Sequence, residues 1–133
     1  MRRVFKVLQL SLFMLVSCGF AWGFGAVDRC AESKNAVHEL SSTKEDDLRA
    51  AEEKRIIALC PEGGSAFFVR GLQMERNGDS AGALTTYREA ISLDGSLPEA
   101  HGNLGLLLLG SGKAAEAAIE LTKGLMGKAD PRS

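Results

Sequence analysis

A fixed period of 34 residues runs through the second half of the chain. Gly71, Gly78, Ala83, Tyr87 and Ala90 are matched, 34 positions on, by Gly105, Gly112, Ala117, Leu121 and Gly124. The types recur as small, small, small, bulky, small. Self-similarity of this length signals units that cannot bury their apolar face alone and stack on one another. Within each unit, apolar residues at three- and four-residue steps predict two amphipathic helices. Phe67 and Met74 lie before a break at Asn77-Gly78-Asp79, and Ala83, Tyr87, Ala90 and Ile91 lie after it. Leu104 and Leu108 lie before Gly110-Ser111-Gly112, and Ala117, Leu121 and Leu125 lie after it. Breaks this short allow only a tight turn between antiparallel helices. At 133 residues, 45% apolar and 25% charged, the chain has room for one small domain and enough apolar content to fold.

These two units resemble tetratricopeptide repeats, whose motif reads W-x2-L-G-x2-Y in the first helix and A-x3-F-x2-A in the second. Residues 64–97 supply Phe67, Gly71, Met74, Ala83, Tyr87 and Ala90 at those positions, with Arg70 where Leu is usual and Gly95 where a helix-ending Pro is usual. Residues 98–131 supply Leu104, Gly105, Leu108, Ala117, Leu121 and Gly124, with His101 in place of the aromatic. The resemblance implies an all-α, right-handed solenoid of helix hairpins. Gly71 with Ala83 and Gly105 with Ala117 would let paired helices approach closely, while Tyr87 and Leu121 fill the space beside them.

Three units are usually needed for a continuous core. Residues 28–63 read as a degenerate hairpin that caps the stack, giving hairpins near 30–61, 65–94 and 99–127. Its first helix would carry Ala36, Val37 and Leu40. Ser42 with Glu45 reads as a capping box for the second helix, which carries Leu48, Ala51, Ile56 and Leu59 and ends at Pro61. Arg49 and Glu53 stand where the repeat motif wants small and aromatic residues. A single bent helix is the alternative.

Residues 1–25 read as a secretory signal: Arg2, Arg3 and Lys6 precede an apolar run from Val7 to Val16, which is short for a bilayer span. Leu15-Val16-Ser17-Cys18 resembles a lipobox, which implies lipidation of Cys18. Small residues at Ala21 and Gly23, or at Gly23 and Gly25, suit ordinary cleavage instead, and an uncleaved anchor to Val27 is a third reading. Each exports the domain, to the periplasm in a bacterium, with membrane attachment only through that anchor or the Cys18 lipid. Removing three of the 16 basic residues and none of the 17 acidic ones leaves a net charge of −4, which disfavours nucleic acid and anionic headgroups. Export allows Cys30 and Cys60 to pair. An antiparallel hairpin would bring the start of one helix beside the end of the next, where these two fall. Two free thiols are the alternative.

No catalytic, cofactor or metal constellation emerges. Gly110-Ser111-Gly112-Lys113 resembles the end of a phosphate-binding loop, but Leu107 and Ala114 stand where that loop needs Gly and Ser or Thr. Glu45-Asp46-Asp47 lacks the alternating ligands of a calcium loop and suits a helix N-terminus. His38 and His101 have no nucleophile beside them in the sequence, and Glu116 with Glu120 lies one turn apart on an exposed face.

The resemblance implies a concave groove, lined by the first helix of each unit, that binds an extended peptide or a helix. The family's ligand-facing positions fall on Ser65, Phe68, Leu72, Glu75 and Arg76, then on Glu99, Gly102, Asn103, Leu106 and Leu109. Of these, Phe68, Leu72, Glu75, Asn103, Leu106 and Leu109 are the expected partner-binding residues. Phe68 and Leu72 replace the Lys and Asn of the carboxylate-clamp subtype. Leu107 and Leu108 are expected between helices, and Leu106 and Leu109 either in the groove or against a neighbouring element. The implied function is a non-enzymatic scaffold of the cell envelope that docks a partner protein. A lipoprotein acting as pilotin or assembly factor is the alternative, and a bare last helix leaves self-association open.

Overall fold

A computed structural model describes residues 24–129, with side chains from 29 to 128. The signal segment to Gly23 and Cys18 with its processing sites lie outside the described residues. Among the described residues six helices follow one another: α1 (Phe24–Leu40), α2 (Asp46–Leu59), α3 (Gly64–Arg76), α4 (Ser80–Leu93), α5 (Pro98–Gly110) and α6 (Ala114–Ala129). They pair as hairpins α1–α2, α3–α4 and α5–α6, and no strand occurs among the described residues. The fold is an all-α stack of helix hairpins. The 34-residue period is structural as well as sequential, since α2, α4 and α6 begin at 46, 80 and 114.

Two of the three turns are built alike. Gly78 and Gly112 have φ of +81° and +79°, the left-handed region that glycine enters without steric cost. Each closes a Schellman motif: the Gly78 N–H donates to the Glu75 carbonyl and the Asp79 N–H to that of Met74, while Gly112 and Lys113 do the same to Leu109 and Leu108. Asp79 then caps α4, its carboxylate accepting from the Gly82 N–H at 2.8 Å. The first hairpin has Lys44 where the others have this glycine, so it turns differently. Its first helix stops at Leu40, and five residues lead to α2. The expected capping box is not formed here: Ser42 Oγ donates backwards to the Glu39 carbonyl at 2.7 Å, and Glu45 precedes α2 with no side-chain cap. Asp46 and Asp47 occupy the first turn of α2, as their charge suits the positive end of the helix.

The core runs through all three hairpins, from Val37, Leu40 and Ile56 through Val69, Ala83 and Tyr87 to Leu104, Leu108 and Ala117. A Cβ on Gly71 would sit 2.4 Å from the ring of Tyr87, and one on Gly105 would sit 2.7 Å from Leu121 Cγ. The repeated glycines are therefore what lets each hairpin close over its bulky residue. Because Tyr87 is fully buried and cannot retreat, Gly71→Ala is expected to cost about 1–3 kcal/mol, and Gly71→Leu more. A chemical denaturation midpoint unchanged in Gly71→Leu would contradict this packing.

The Cys30–Cys60 disulfide joins α1 to the end of α2 across a Cα–Cα distance of 5.0 Å. α1 begins at Phe24, earlier than the sequence suggested, and it extends past α3 to the third hairpin. Lys34 pairs with Asp94 at 3.3 Å, and His38 Nδ1 lies 2.7 Å from Glu99 Oε1. Arg70, the departure from the repeat motif, lies over the Phe67 ring at 4.8 Å and donates to the Pro61 carbonyl at 3.0 Å.

Candidate functional site

With α1 held against α5, the first helices of all three hairpins wall a cavity of about 380 Å³. Val37 and Leu40 come from α1, Phe68 and Leu72 from α3, and Gly102, Asn103 and Leu106 from α5. Leu121 and Leu125 of α6 extend the apolar wall, and Arg49, Glu99 and Lys128 bring charge to it. α6 approaches this wall closely because Gly124 packs on the α5 backbone, where a Cβ would lie 3.0 Å from the Gly102 nitrogen.

Of the six residues expected to bind a partner, Phe68, Leu72, Asn103 and Leu106 line this cavity, and Glu75 and Leu109 do not. Their environments differ. Phe68 is only 4% exposed, and its ring packs 5.7 Å from that of Tyr87. It is a core residue that shows one edge to the groove, so it cannot be treated as surplus to folding. Leu106 and Leu109, in contrast, are 61% and 52% exposed, while Leu108 is buried and Leu107 partly so. Ser65, another ligand-facing position, is buried.

Glu75 and Asn103 meet at a third residue. The Tyr87 hydroxyl donates to Glu75, and Asn103 Nδ2 lies 3.3 Å from the same oxygen. Burial, reinforced by the Glu75 hydrogen bond, pushes the Tyr87 phenol well above its ordinary pKa, so it remains a neutral donor. The trio links α3, α4 and α5, and so fixes the Asn103 side chain at the cavity wall.

Arg76, also placed in the groove by the motif, is turned toward the first hairpin. Its guanidinium forms two 2.6 Å hydrogen bonds with Glu53, which is only 2% exposed and also accepts from Gln73 at 3.2 Å. Burial alone would raise the Glu53 pKa; the hydrogen bonds from Arg76 and Gln73 and the charges of Arg76 and Arg49 outweigh it and hold the carboxyl below its usual range. A Glu at the position meant for an aromatic gave the sequence signal for something unusual, but its partner 23 residues away was not legible. The two histidines are also structural. His101, buried where the motif has an aromatic, lies with Nδ1 2.6 Å from Glu120 Oε2 and with Nε2 3.0 Å from the Gly95 carbonyl oxygen. The carbonyl can only accept, so Nε2 carries the proton and donates.

Cavity residues that the sequence did not place in the groove include Val37, Leu40 and Arg49 from the first hairpin and Leu121, Leu125 and Lys128 from α6. Val37 and Leu40 had a visible apolar spacing, but nothing local says that α1 reaches the third hairpin. Among the described residues no helix is long and apolar enough to cross a membrane, and no group of three or more His, Cys, Asp or Glu is placed to hold a metal ion.

No family model and no curated protein matches the chain. Among solved structures, the crystal structure of MamA matches over 75% of this chain and 58% of that chain, with 22% sequence identity and a TM-score of 0.49. The chain thus spans less than two thirds of MamA's length.

Proposed function

We propose that this chain is a non-catalytic docking scaffold of an oxidising, extracytoplasmic compartment, and that the groove between α1, α3 and α5 takes an apolar peptide or helix of a partner protein. The observation that carries this reading is the cavity itself: walls of Phe68, Leu72 and Leu40 lie beneath the exposed rim residues Leu106 and Leu125. Apolar side chains this exposed beside a preformed cavity gain about 25 cal/mol per Å² when a partner covers them, before ordering costs are subtracted. The disulfide supports the oxidising compartment, and the apolar N-terminal run with its basic leader supports export. The two units similar to tetratricopeptide repeats, residues 64–97 and 98–131, support a protein partner.

Leu106→Ser tests the groove without disturbing the core. Leu106 is mostly solvated, so its truncation should cost under ~0.5 kcal/mol of stability. Recovery of crosslinked partner from envelope extract, compared between the wild-type chain and Leu106→Ser, should fall about tenfold or more. Equal recovery by the two proteins would overturn the reading.

A further inference from the structure

Apolar burial leaves part of the groove's chemistry unused. Glu99 lies in the first turn of α5, and its side chain is 10% exposed. The helix N-terminus and His38 account for a charge at this place, and His38 engages Oε1 at 2.7 Å. Oε2 is buried and has no hydrogen-bond partner among the described residues. Arg49 has a similar remainder: one terminal nitrogen donates to the Thr43 carbonyl at 2.8 Å, while its Nε is buried and unpartnered among the described residues. Both residues line the cavity, between apolar walls. A buried carboxylate oxygen without a donor is costly, and buried polar atoms are nearly always matched. A ligand that brings a donor into this cavity relieves that cost.

We propose that the occupant of the groove is an aromatic side chain bearing a hydrogen-bond donor, a tyrosine or tryptophan displayed by the partner protein, whose O–H or N–H donates to Glu99 Oε2. This rests on the groove reading above and narrows it. The ring lies against Phe68, Leu72 and Leu106, and the cavity volume, near the lower end of ligand pockets, suits one such side chain. Charge selects among donors. Arg49 and Lys128 both line the cavity and repel a lysine or arginine, whereas the negative face of an aromatic ring attracts them. A carboxylate brings no donor to Glu99 Oε2 and leaves it unmatched. An aliphatic side chain or phenylalanine fills the space but leaves Oε2 unmatched, and a site with a buried polar group discriminates against an analogue that cannot satisfy it. Tyrosine and tryptophan combine a large apolar body with a single polar tip, which is what this cavity requires.

The test titrates the oxidised chain with N-acetyl amides of tyrosine, tryptophan, phenylalanine and arginine, followed by backbone amide NMR shifts. The backbone groups of these probes are identical, so differences report the side chain alone. The tyrosine and tryptophan amides should shift Gly102, Asn103 and Leu106, with affinity at least about fivefold above that of the phenylalanine amide. In Glu99→Met, which removes the acceptor at similar volume, the tyrosine and phenylalanine amides should bind alike. Equal binding of these two amides to the wild-type chain would overturn the donor inference and leave the groove standing, as would tightest binding by the arginine amide. Shifts that avoid the groove for every probe, or that persist unchanged in Leu106→Asp, would overturn both the inference and the groove reading. The wild-type comparison does not depend on the folding of either variant.

Discussion

Reducing the Cys30–Cys60 bond is expected to lower the free energy of unfolding by about 3–4 kcal/mol, the chain-entropy value for a sequence separation of 30. For a domain of this size each kcal/mol corresponds to roughly 4–8 °C, so the melting temperature should drop by more than ~10 °C. The bond matters here because of what the first hairpin lacks. Its turn has no left-handed glycine, and its second helix has no side-chain cap. The crosslink closes the hairpin from the opposite end. Reduction should therefore loosen α1 and α2 first. Hydrogen exchange between residues 29 and 59 should rise before exchange in α3 to α6 does. Since Val37 and Leu40 of α1 form one wall of the groove, partner binding should weaken under reducing conditions as well. Melting curves with and without reductant, and of the Cys30→Ser/Cys60→Ser double variant, provide the check. Coincident curves would show that the bond does not hold the hairpin.

Arg76→Ala should cost about 2–4 kcal/mol, more than Glu53→Gln, which should cost about 1–2. The asymmetry follows from burial. Glu53 is enclosed, while half of the Arg76 side chain reaches water. Removing the carboxylate returns the guanidinium to solvent at small cost; removing the guanidinium strands a buried charge with one hydrogen bond, from Gln73, and the more distant charge of Arg49. Acid makes the distinction sharper. Burial would raise the pKa values of Glu53, Asp94 and Glu120, but hydrogen bonds and cations outweigh it: Arg76 and Gln73 at Glu53, Ser96 and Lys34 at Asp94, His101 and Lys123 at Glu120. With folded values below the unfolded ones, each group contributes stability above the ordinary carboxylate range and loses it as pH falls through its lowered folded value. The wild-type melting temperature should thus hold from neutrality to about pH 5 and decline below about pH 4. In Arg76→Ala the stranded Glu53 takes up a proton more readily than in the wild type, so the gap between the two proteins should narrow on acidification. A gap that stays constant down to pH 3 would argue against the pair.

The period of 34 determined most of the architecture, because the contacts within a hairpin are made by residues close in sequence. Gly71 beneath Tyr87 and Gly105 beneath Leu121 are 16 residues apart in both units, and the small–bulky pattern states that packing directly. The two turn glycines were legible for the same reason, as was the pairing of Cys30 with Cys60 at the open end of a hairpin. Helical register also placed Leu108 between helices, where it is buried, but left Leu106 open between the groove and a neighbouring element.

What lay beyond the sequence was everything set between hairpins. Phe68 falls on the same ligand-facing surface as Leu106, yet it is core, because it packs beside Tyr87, while Leu106 is mostly exposed. Ser42 and Glu45 satisfied a capping pattern, but the chain left α1 at Leu40 and turned Ser42 back onto Glu39. The reach of α1 to α5 depends on His38 meeting Glu99 and Lys34 meeting Asp94, pairs about 60 residues apart with no periodic signature. Spacing along a helix fixes which face a residue occupies; only the stacking of the hairpins decides whether that face meets protein, solvent or a cavity.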